Sequence, residues 1–198
     1  MPAYHCAVKA LVVAVAYLLG TVPTALLVGR RLGRDPTREG SGNPGASNVY
    51  RTAGPRAGAV VFAGDLLKGI VATGLGLAAG GRLLGLACGA AAVVGHVLPV
   101  TRRLRGGKGV ATASGLVVVL DPLLAAVVGL GWLVLARVSG TASLASLAAA
   151  ALLPAGFALR GRPLAEVVGL AAVAAVVVAR HAGNIGRLVR GDERPLRR

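Results

Sequence analysis

Six apolar runs set the terms on which this chain can fold: Val8 to Val28, Ala57 to Ala79, Leu83 to Leu98, Val110 to Ala136, Ser143 to Leu159 and Leu164 to Ala179. A helix crosses a bilayer with about 20 predominantly apolar residues, and only a helix or a closed barrel satisfies its own backbone in hydrocarbon. Runs this long and continuous, rather than alternating, select helices. The fourth run holds Asp121 followed by Pro122, a charge that is expensive at mid-bilayer and a residue that breaks a helix from inside. Splitting it there predicts seven crossings. The two halves are short; the fourth helix can borrow Gly106 to Gly109 and the fifth can extend to Ser139. The expected fold is all-α: one polytopic integral membrane domain over residues 1–198, with about seven transmembrane helices.

At 55% hydrophobic residues and a mean hydropathy of +0.73, the chain has more apolar surface than a soluble core of its size can hide. The formal charge of +15 raises the possibility of nucleic acid, but aromatics are only 3% and the basic residues cluster between apolar runs. No nucleic-acid partner is expected. Seven crossings put segments 29–56, 99–109, 137–142 and 180–198 on one side. That side carries Arg30, Arg31, Arg34, Arg38, Arg51, Arg56, Arg102, Arg103, Arg105 and the arginines from Arg187 to Arg198, against Arg82, Arg160 and Arg162 opposite. By the positive-inside rule it is the cytoplasmic side, which leaves the N-terminus outside and the C-terminus in the cytoplasm. The first run lacks a convincing small-residue cleavage site and is expected to remain as a span. Cys6 and Cys88 have no CxxC spacing, so neither zinc nor a disulfide is indicated. Gly81, Gly85 and Gly89 repeat a small residue every fourth position, which lets helices approach closely in lipid.

Three polar islands interrupt this text on the cytoplasmic side: GSGNPGASNVYRTAG (40–54), GHVLPVTRRLRGGKGVATASG (95–115) and HAGNIGRLVRGDE (181–193). Gly40, Gly42 and Gly45 match GxGxxG without the preceding strand or βαβ unit of a dinucleotide site. Gly106-Gly107-Lys108-Gly109 lacks the frame of a P-loop. Both offer backbone N–H groups beside a fixed cation, Arg51 or Lys108, with a helix starting downstream, an arrangement that holds phosphate. The alternative for each island is a tight interhelical loop that needs glycine. Asp65 and Lys68, three apart on the second helix, are read as a structural ion pair, with substrate contact as the alternative.

No GxSxG, HExxH or Cys–His pairing occurs, and no aspartate stands five residues after His5, His96 or His181. His5 reads as a bystander and His96 as a helix-end hydrogen-bond donor. His181, three residues before Asn184, stands equally as a helix-end or a functional group. A small anion transporter would also use basic, glycine-rich loops, but its site would lie near mid-bilayer, often between repeated halves. Here the islands share one face and no repeat is visible.

Together LLGTVPTALLVG, GSGNPG with NVxRT downstream, DLLKG, GHVLP, GGKGVAT, SLASL and HxxNIxRLxxGxE closely resemble the motifs of the small bacterial membrane glycerol-3-phosphate acyltransferases that use acyl phosphate, the PlsY family. The resemblance covers nearly the whole chain. It implies transfer of an acyl chain from acyl phosphate to the 1-hydroxyl of sn-glycerol 3-phosphate, giving lysophosphatidic acid and phosphate, the first committed step of phospholipid synthesis. It implies a multi-pass protein of the bacterial inner membrane, functional as a monomer, with its site facing the cytoplasm and with no cofactor or metal. Ser41, Arg51, Lys108, His181 and Asn184 fall on the family's catalytic positions. Gly42, Asn43, Ser47 and Asn48, with Gly106, Gly107 and Gly109, fall on substrate-binding positions; Ser47 replaces a threonine and keeps the hydroxyl. Ser146 of SLASL joins the donor-phosphate site on a less secure alignment. Glu193, Asp65 and Lys68 are expected to support the site structurally. Leu98 and Arg105 stand where the family often has Phe and Lys.

Overall fold

The computed structural model describes residues 2–196, with side chains from His5 onward. The described residues are helical or in turns: α1 (Pro2–Gly20), α2 (Thr24–Arg31), α3 (Ala46–Ala53), α4 (Pro55–Val97), a 3-10 turn (Val100–Arg102), α5 (Val110–Leu120), α6 (Pro122–Ser139), α7 (Ala142–Leu159), α8 (Leu164–Arg180) and α9 (Ala182–Arg190). Four segments are long and apolar enough to cross a membrane: His5–Arg31, Pro55–Arg102, Pro122–Ser139 and Ala142–Leu159. The pair α8 and α9, bent by 60°, makes a fifth if it is one span. Outward-facing side chains on α6, from Leu123 at 60% exposed to Val138 at 82%, are those of a helix bathed in lipid.

The apolar runs differ from the observed helices in three places, each with a local cause. The first run breaks at Thr21–Pro23, where Pro23 has no N–H to donate and the Thr21 hydroxyl donates to Leu18 O at 2.7 Å. The second and third runs form one 43-residue element, α4, interrupted by non-helical Gly80 and Gly81, the latter at φ 79°. As a straight helix α4 would reach about 65 Å, roughly twice the hydrocarbon thickness. It folds back instead: a Cβ on Gly85 would lie 3.2 Å from Thr73 O, and one on Gly76 would lie 2.8 Å from Cys88 Sγ. Of the glycine repeat, Gly81 therefore makes the turn, while Gly85 and Gly89 let the returning leg close on Thr73. The third difference is α3, a short helix inside the polar loop 29–56.

The fourth run divides at Asp121 as its sequence demands. Asp121 Oδ1 accepts the Leu124 N–H at 3.1 Å as the cap of α6, and Pro122 occupies the first helical position, where its missing N–H costs nothing. Reciprocal glycine contacts set the closest helix crossings: a Cβ at Gly69 would overlap Thr112 O, and one at Gly115 would overlap Leu66 O, so the first leg of α4 lies against α5. Phe157, Leu116, Leu170, Val93, Val97 and Val117 fill the main core between α4, α5, α7 and α8.

Charges gather at both ends of these helices. At the end where α5 gives way to α6, Asp121 Oδ2 accepts from Arg160 Nε at 2.7 Å and from Arg162 Nη2 at 2.8 Å. Beside it Arg82 grips Glu166 with two bonds, at 2.8 and 2.7 Å, and donates to Leu120 O at 3.1 Å. Burial works to raise the Asp121 carboxyl, but bonds from Arg162, the Leu124 N–H and Arg160 outweigh it and hold the group at about 2. The three polar islands lie at the other end of the same helices.

Candidate active site

Island one is a glycine loop tied around one amide. Asn48, 1% exposed, accepts the Ser41 N–H at 2.8 Å and donates to Pro36 O at 2.9 Å and Glu39 O at 3.0 Å. Gly40, at φ 60°, carries no Cβ because one would overlap Asn48 Oδ1. Asn48, expected to bind substrate, spends both amide protons and one lone pair of its oxygen on the loop. Ser41 Oγ, Gly42, Asn43 and Ser47 stay partly or fully open, and Arg51, half-buried on α3, extends from the far side of the loop. Burial lowers the Arg51 guanidinium below its ordinary range, with Arg194 and Arg187 pushing the same way and Glu193 opposing.

Island two is a short strand of irregular chain, not a β-strand, clamped from both sides. The Gly106 N–H donates to Val97 O at 3.2 Å and the Gly107 N–H to His96 O at 3.1 Å, while Arg180 donates to Gly106 O at 3.2 Å and Gly107 O at 3.3 Å. The expectation that Gly106 and Gly107 present N–H groups to phosphate is corrected on this geometry, because those donors close the loop onto the end of α4. Donors left for an anion begin at Lys108 and continue into the first turn of α5, where Gly109, at φ 85°, turns the chain into the helix.

Island three supplies the rest. The Lys108 ammonium donates to Asn184 Oδ1. Asn184 Nδ2 donates to Glu193 Oε1 at 2.8 Å, and Arg187 Nε donates to Glu193 Oε2 at 3.0 Å. Gly191, at φ 73°, reverses the chain after α9 so that Glu193 returns to these partners. His181 is 2% exposed, and its Nδ1 lies 2.8 Å from Val177 O. A carbonyl only accepts, so Nδ1 carries the proton and Nε2 is the atom left for the site. Burial, with Arg187, Arg51 and Arg180 nearby, lowers Lys108 to about 8 against the pull of Glu193.

The structure thus brings Ser41, Arg51, Lys108, His181, Asn184 and Glu193 to one end of the bundle. Ser146 belongs to a different wall: it lines an apolar cleft with Val110, Ser114, Leu153 and Leu170, donates to Ala142 O at 2.7 Å and accepts the Trp132 Nε1–H at 3.0 Å. Asp65 and Lys68 form the expected ion pair, at 2.9 Å, behind the Gly107 strand. Arg180, Arg187 and Arg194 escaped the sequence reading. Arg187 was signalled by its place in HxxNIxRLxxGxE; Arg180 and Arg194, whose guanidinium reaches Gly40 O, carried no signal beyond being basic.

Fold and site define the class: an all-helical integral membrane protein that gathers cations and amides at one end of its helix bundle. Residues 10–191 match the family model described as Glycerol-3-phosphate acyltransferase. The chain is 44% identical over 191 residues to the glycerol-3-phosphate acyltransferase of Rubrobacter xylanophilus, covering 94% of each chain. To that of Syntrophomonas wolfei it is 40% identical, covering 93% of this chain and 95% of the relative. Among solved structures it superposes on PlsY (YgiH), an integral membrane glycerol 3-phosphate acyltransferase, in its glycerol 3-phosphate form, with a TM-score of 0.91, 34% identity and 94% coverage of each chain. The lysophosphatidic acid form of PlsY gives a TM-score of 0.89 with the same identity and coverage. The chain belongs to the PlsY family of glycerol-3-phosphate acyltransferases and is an acyltransferase enzyme of the membrane.

Proposed function

We propose that this enzyme transfers an acyl chain from acyl phosphate to the 1-hydroxyl of sn-glycerol 3-phosphate, releasing lysophosphatidic acid and inorganic phosphate as the first committed step of phospholipid synthesis. The observation that carries the reading is the charge imbalance of the site: the partly buried Arg51, Lys108 and Arg187 gather around Glu193, with the exposed Arg180 and Arg194 at their edge. Cations this close together, partly withdrawn from water, are stabilised when anions join them. The glycerol 3-phosphate and lysophosphatidic acid forms of PlsY support a phosphate-bearing acceptor and product. Ser41, Gly42, Asn43, Ser47 and Arg51 face the donor's phosphate in this reading. Lys108, Gly109, His181 and Asn184 hold the acceptor.

Acyl phosphate is a mixed anhydride, so the reaction needs positioning and charge stabilisation more than a side-chain nucleophile. The acceptor's hydroxyl oxygen bonds to the acyl carbon, and the carbon–oxygen bond to phosphate breaks with its electron pair leaving on phosphate. The hydroxyl proton passes to the acceptor's own phosphate, which accounts for a site without a His–Asp base. Counting the two legs of α4 separately and taking short α5 as a crossing gives seven passes, with the site on the arginine-rich cytoplasmic face and the N-terminus outside. The chain acts as a monomer in the bacterial plasma membrane.

Incubating the purified protein with acyl phosphate and glycerol 3-phosphate is expected to release phosphate and form lysophosphatidic acid, with no turnover when acyl-CoA replaces acyl phosphate. Turnover with acyl-CoA alone overturns the donor assignment.

A further inference from the structure

Behind the Gly106–Gly107 strand, on the side away from Lys108, lies a second ionisable cluster that the proposed reaction does not use. Lys68 Nζ stands 2.9 Å from Asp65 Oδ1, 3.2 Å from Val22 O and 2.6 Å from His96 Nδ1, with Asp65 and Lys68 side chains only 3% and 7% exposed. An ammonium has donors only, so His96 Nδ1 accepts wherever Lys68 keeps its proton, and with Asp65 Oδ1 3.5 Å from the same nitrogen the ring is fixed in rotation. Its Nε2 edge abuts Gly107: a Cβ there would overlap Nε2. The Gly107 N–H also donates to the carbonyl of His96 itself. Imidazole and backbone of one residue thus seat the strand from behind, while Arg180 holds its carbonyls from the front. The cavity beside the cluster, bounded by Lys68, His96, Arg102, Pro44 and Gly107, is about 10 Å³, room for about one water, so the charges serve the protein and not a ligand of their own.

We infer that Asp65 and Lys68 act through His96 as positioning residues that set the Gly107 strand, and with it Lys108, for the acceptor's phosphate. The inference rests on the reading that the Lys108 loop binds glycerol 3-phosphate. A buried ion pair stabilises a fold little more than apolar residues of the same shape, which leaves orientation as the role that requires these charges. The chain of constraint is short: carboxylate fixes ammonium, ammonium fixes imidazole, imidazole fixes the strand one residue before the cation.

Affinity for glycerol 3-phosphate, measured by titration calorimetry on the full chain in detergent without donor, tests this, with thermal melting of each variant recorded alongside. Lys108→Met tests the loop itself and is expected to lose binding. His96→Asn keeps an acceptor at the Nδ1 position but loses the ring edge against Gly107, and is expected to weaken binding with the melting temperature close to wild type. His96→Gln keeps only a donor near Nε2, and Asp65→Asn with Lys68→Met removes both charges while keeping shape. Both are expected to weaken binding about tenfold, the size of one lost contact to a charged group, with melting temperatures close to wild type. Normal binding by Lys108→Met removes the loop reading and this inference with it. Loss in Lys108→Met with wild-type affinity in His96→Gln and the double variant leaves the loop in place and overturns the inference. So do equal losses in His96→Asn and His96→Gln that track equal falls in melting temperature, which mark a purely structural pair. If the double variant does not fold, the two His96 variants decide alone.

Discussion

The two charged ends of the bundle use the same residue types to opposite effect. Where α5 meets α6, three arginines face two carboxylates, and every carboxylate oxygen that is buried has an arginine or backbone donor on it. At the far end of the same helices Glu193 pairs directly with Arg187 and acts at longer range on Arg51 and Lys108, and Arg51 makes no hydrogen bond among the described residues. The first arrangement is complete by itself and joins the ends of α4, α5, α6, α7 and α8. The second carries more positive than negative charge among its described contacts. Charge balance, more than the number of arginines, separates a joint from a binding site.

The sharpest way to break that comparison is to make the same conservative change at both ends. Arg51→Lys keeps the charge and loses the planar fork that grips phosphate through two bonds. Activity is expected to fall roughly 10- to 100-fold, the worth of one charge-assisted hydrogen bond or somewhat more. Arg82→Lys also loses a two-bond grip, on Glu166, but its expected effect is on melting temperature, with turnover per folded molecule unchanged. Steady-state kinetics at matched expression measure both, and near-normal turnover in Arg51→Lys removes the bidentate role. Asp121→Asn goes further at the joint: the amide can still cap α6 but forfeits the charge facing Arg160 and Arg162. A fully buried pair broken on one side costs about 3–5 kcal/mol; Arg160 and Arg162 reach solvent, so about 1–3 kcal/mol is expected here. Denaturation read by fluorescence of Trp132 checks it, and a loss of turnover per folded molecule would make this end part of the site.

How much of this was legible varies with the distance over which the cause acts. Asp121-Pro122 announced the division between α5 and α6, because capping and a missing N–H are properties of neighbouring residues. The glycine repeat announced a close approach, though not that Gly81 would be its turn. Hydropathy could not see α3, an amphipathic helix in a polar loop, or the break at Thr21–Pro23 inside an apolar run. Asp65 and Lys68 read as a pair because they sit three apart on one helix face; His96 joins them only when α4 folds back on itself. Asn48 looked like its neighbours Asn43 and Ser47, and burial alone distinguishes it as a scaffold. Arg187 and Arg194 were counted as markers of sidedness, which treats arginines as interchangeable, and Arg180 was not singled out. Their separate duties, on the Gly106–Gly107 carbonyls, on Glu193 and on Gly40 O, depend on tertiary contacts.

Titration sharpens the contrast, since the two ends respond at opposite extremes of pH. Lys108 is lowered to about 8 in the folded protein, so between pH 8 and its ordinary value near 10.4 the unfolded chain binds the extra proton. Stability of the substrate-free enzyme is therefore expected to rise as pH increases through that window. Affinity for glycerol 3-phosphate is expected to fall over the same window, because the form that grips phosphate is lost. Asp121, held at about 2, contributes stability that is fully present above about 4 and disappears as pH falls through about 2. Lys108→Met should flatten the alkaline rise and leave the acid limb untouched; an alkaline rise that survives in that variant assigns it to another group.

The smallest expected effects come from one backbone test applied at both ends. Gly161, at φ 64°, ends α7: the Arg162 N–H reaches back to Phe157 O and the Gly161 N–H to Ala158 O, and nothing lies within 4 Å of where a Cβ would stand. Gly109, at φ 85°, starts α5 beside Lys108, and there a Cβ would come within 3.0 Å of Val93 and 3.1 Å of Val97. A residue with a side chain pays about 1–2 kcal/mol for the left-handed conformation, so Gly161→Ala and Gly109→Ala should lose comparable stability. Only the second tilts the N–H groups after Lys108, so it alone should raise KM for glycerol 3-phosphate, by several-fold, with kcat and the donor's KM little changed. If both variants keep the wild-type acceptor KM at saturating acyl phosphate, the acceptor's phosphate does not lie on the start of α5, and the unbalanced cations of this end serve the donor alone.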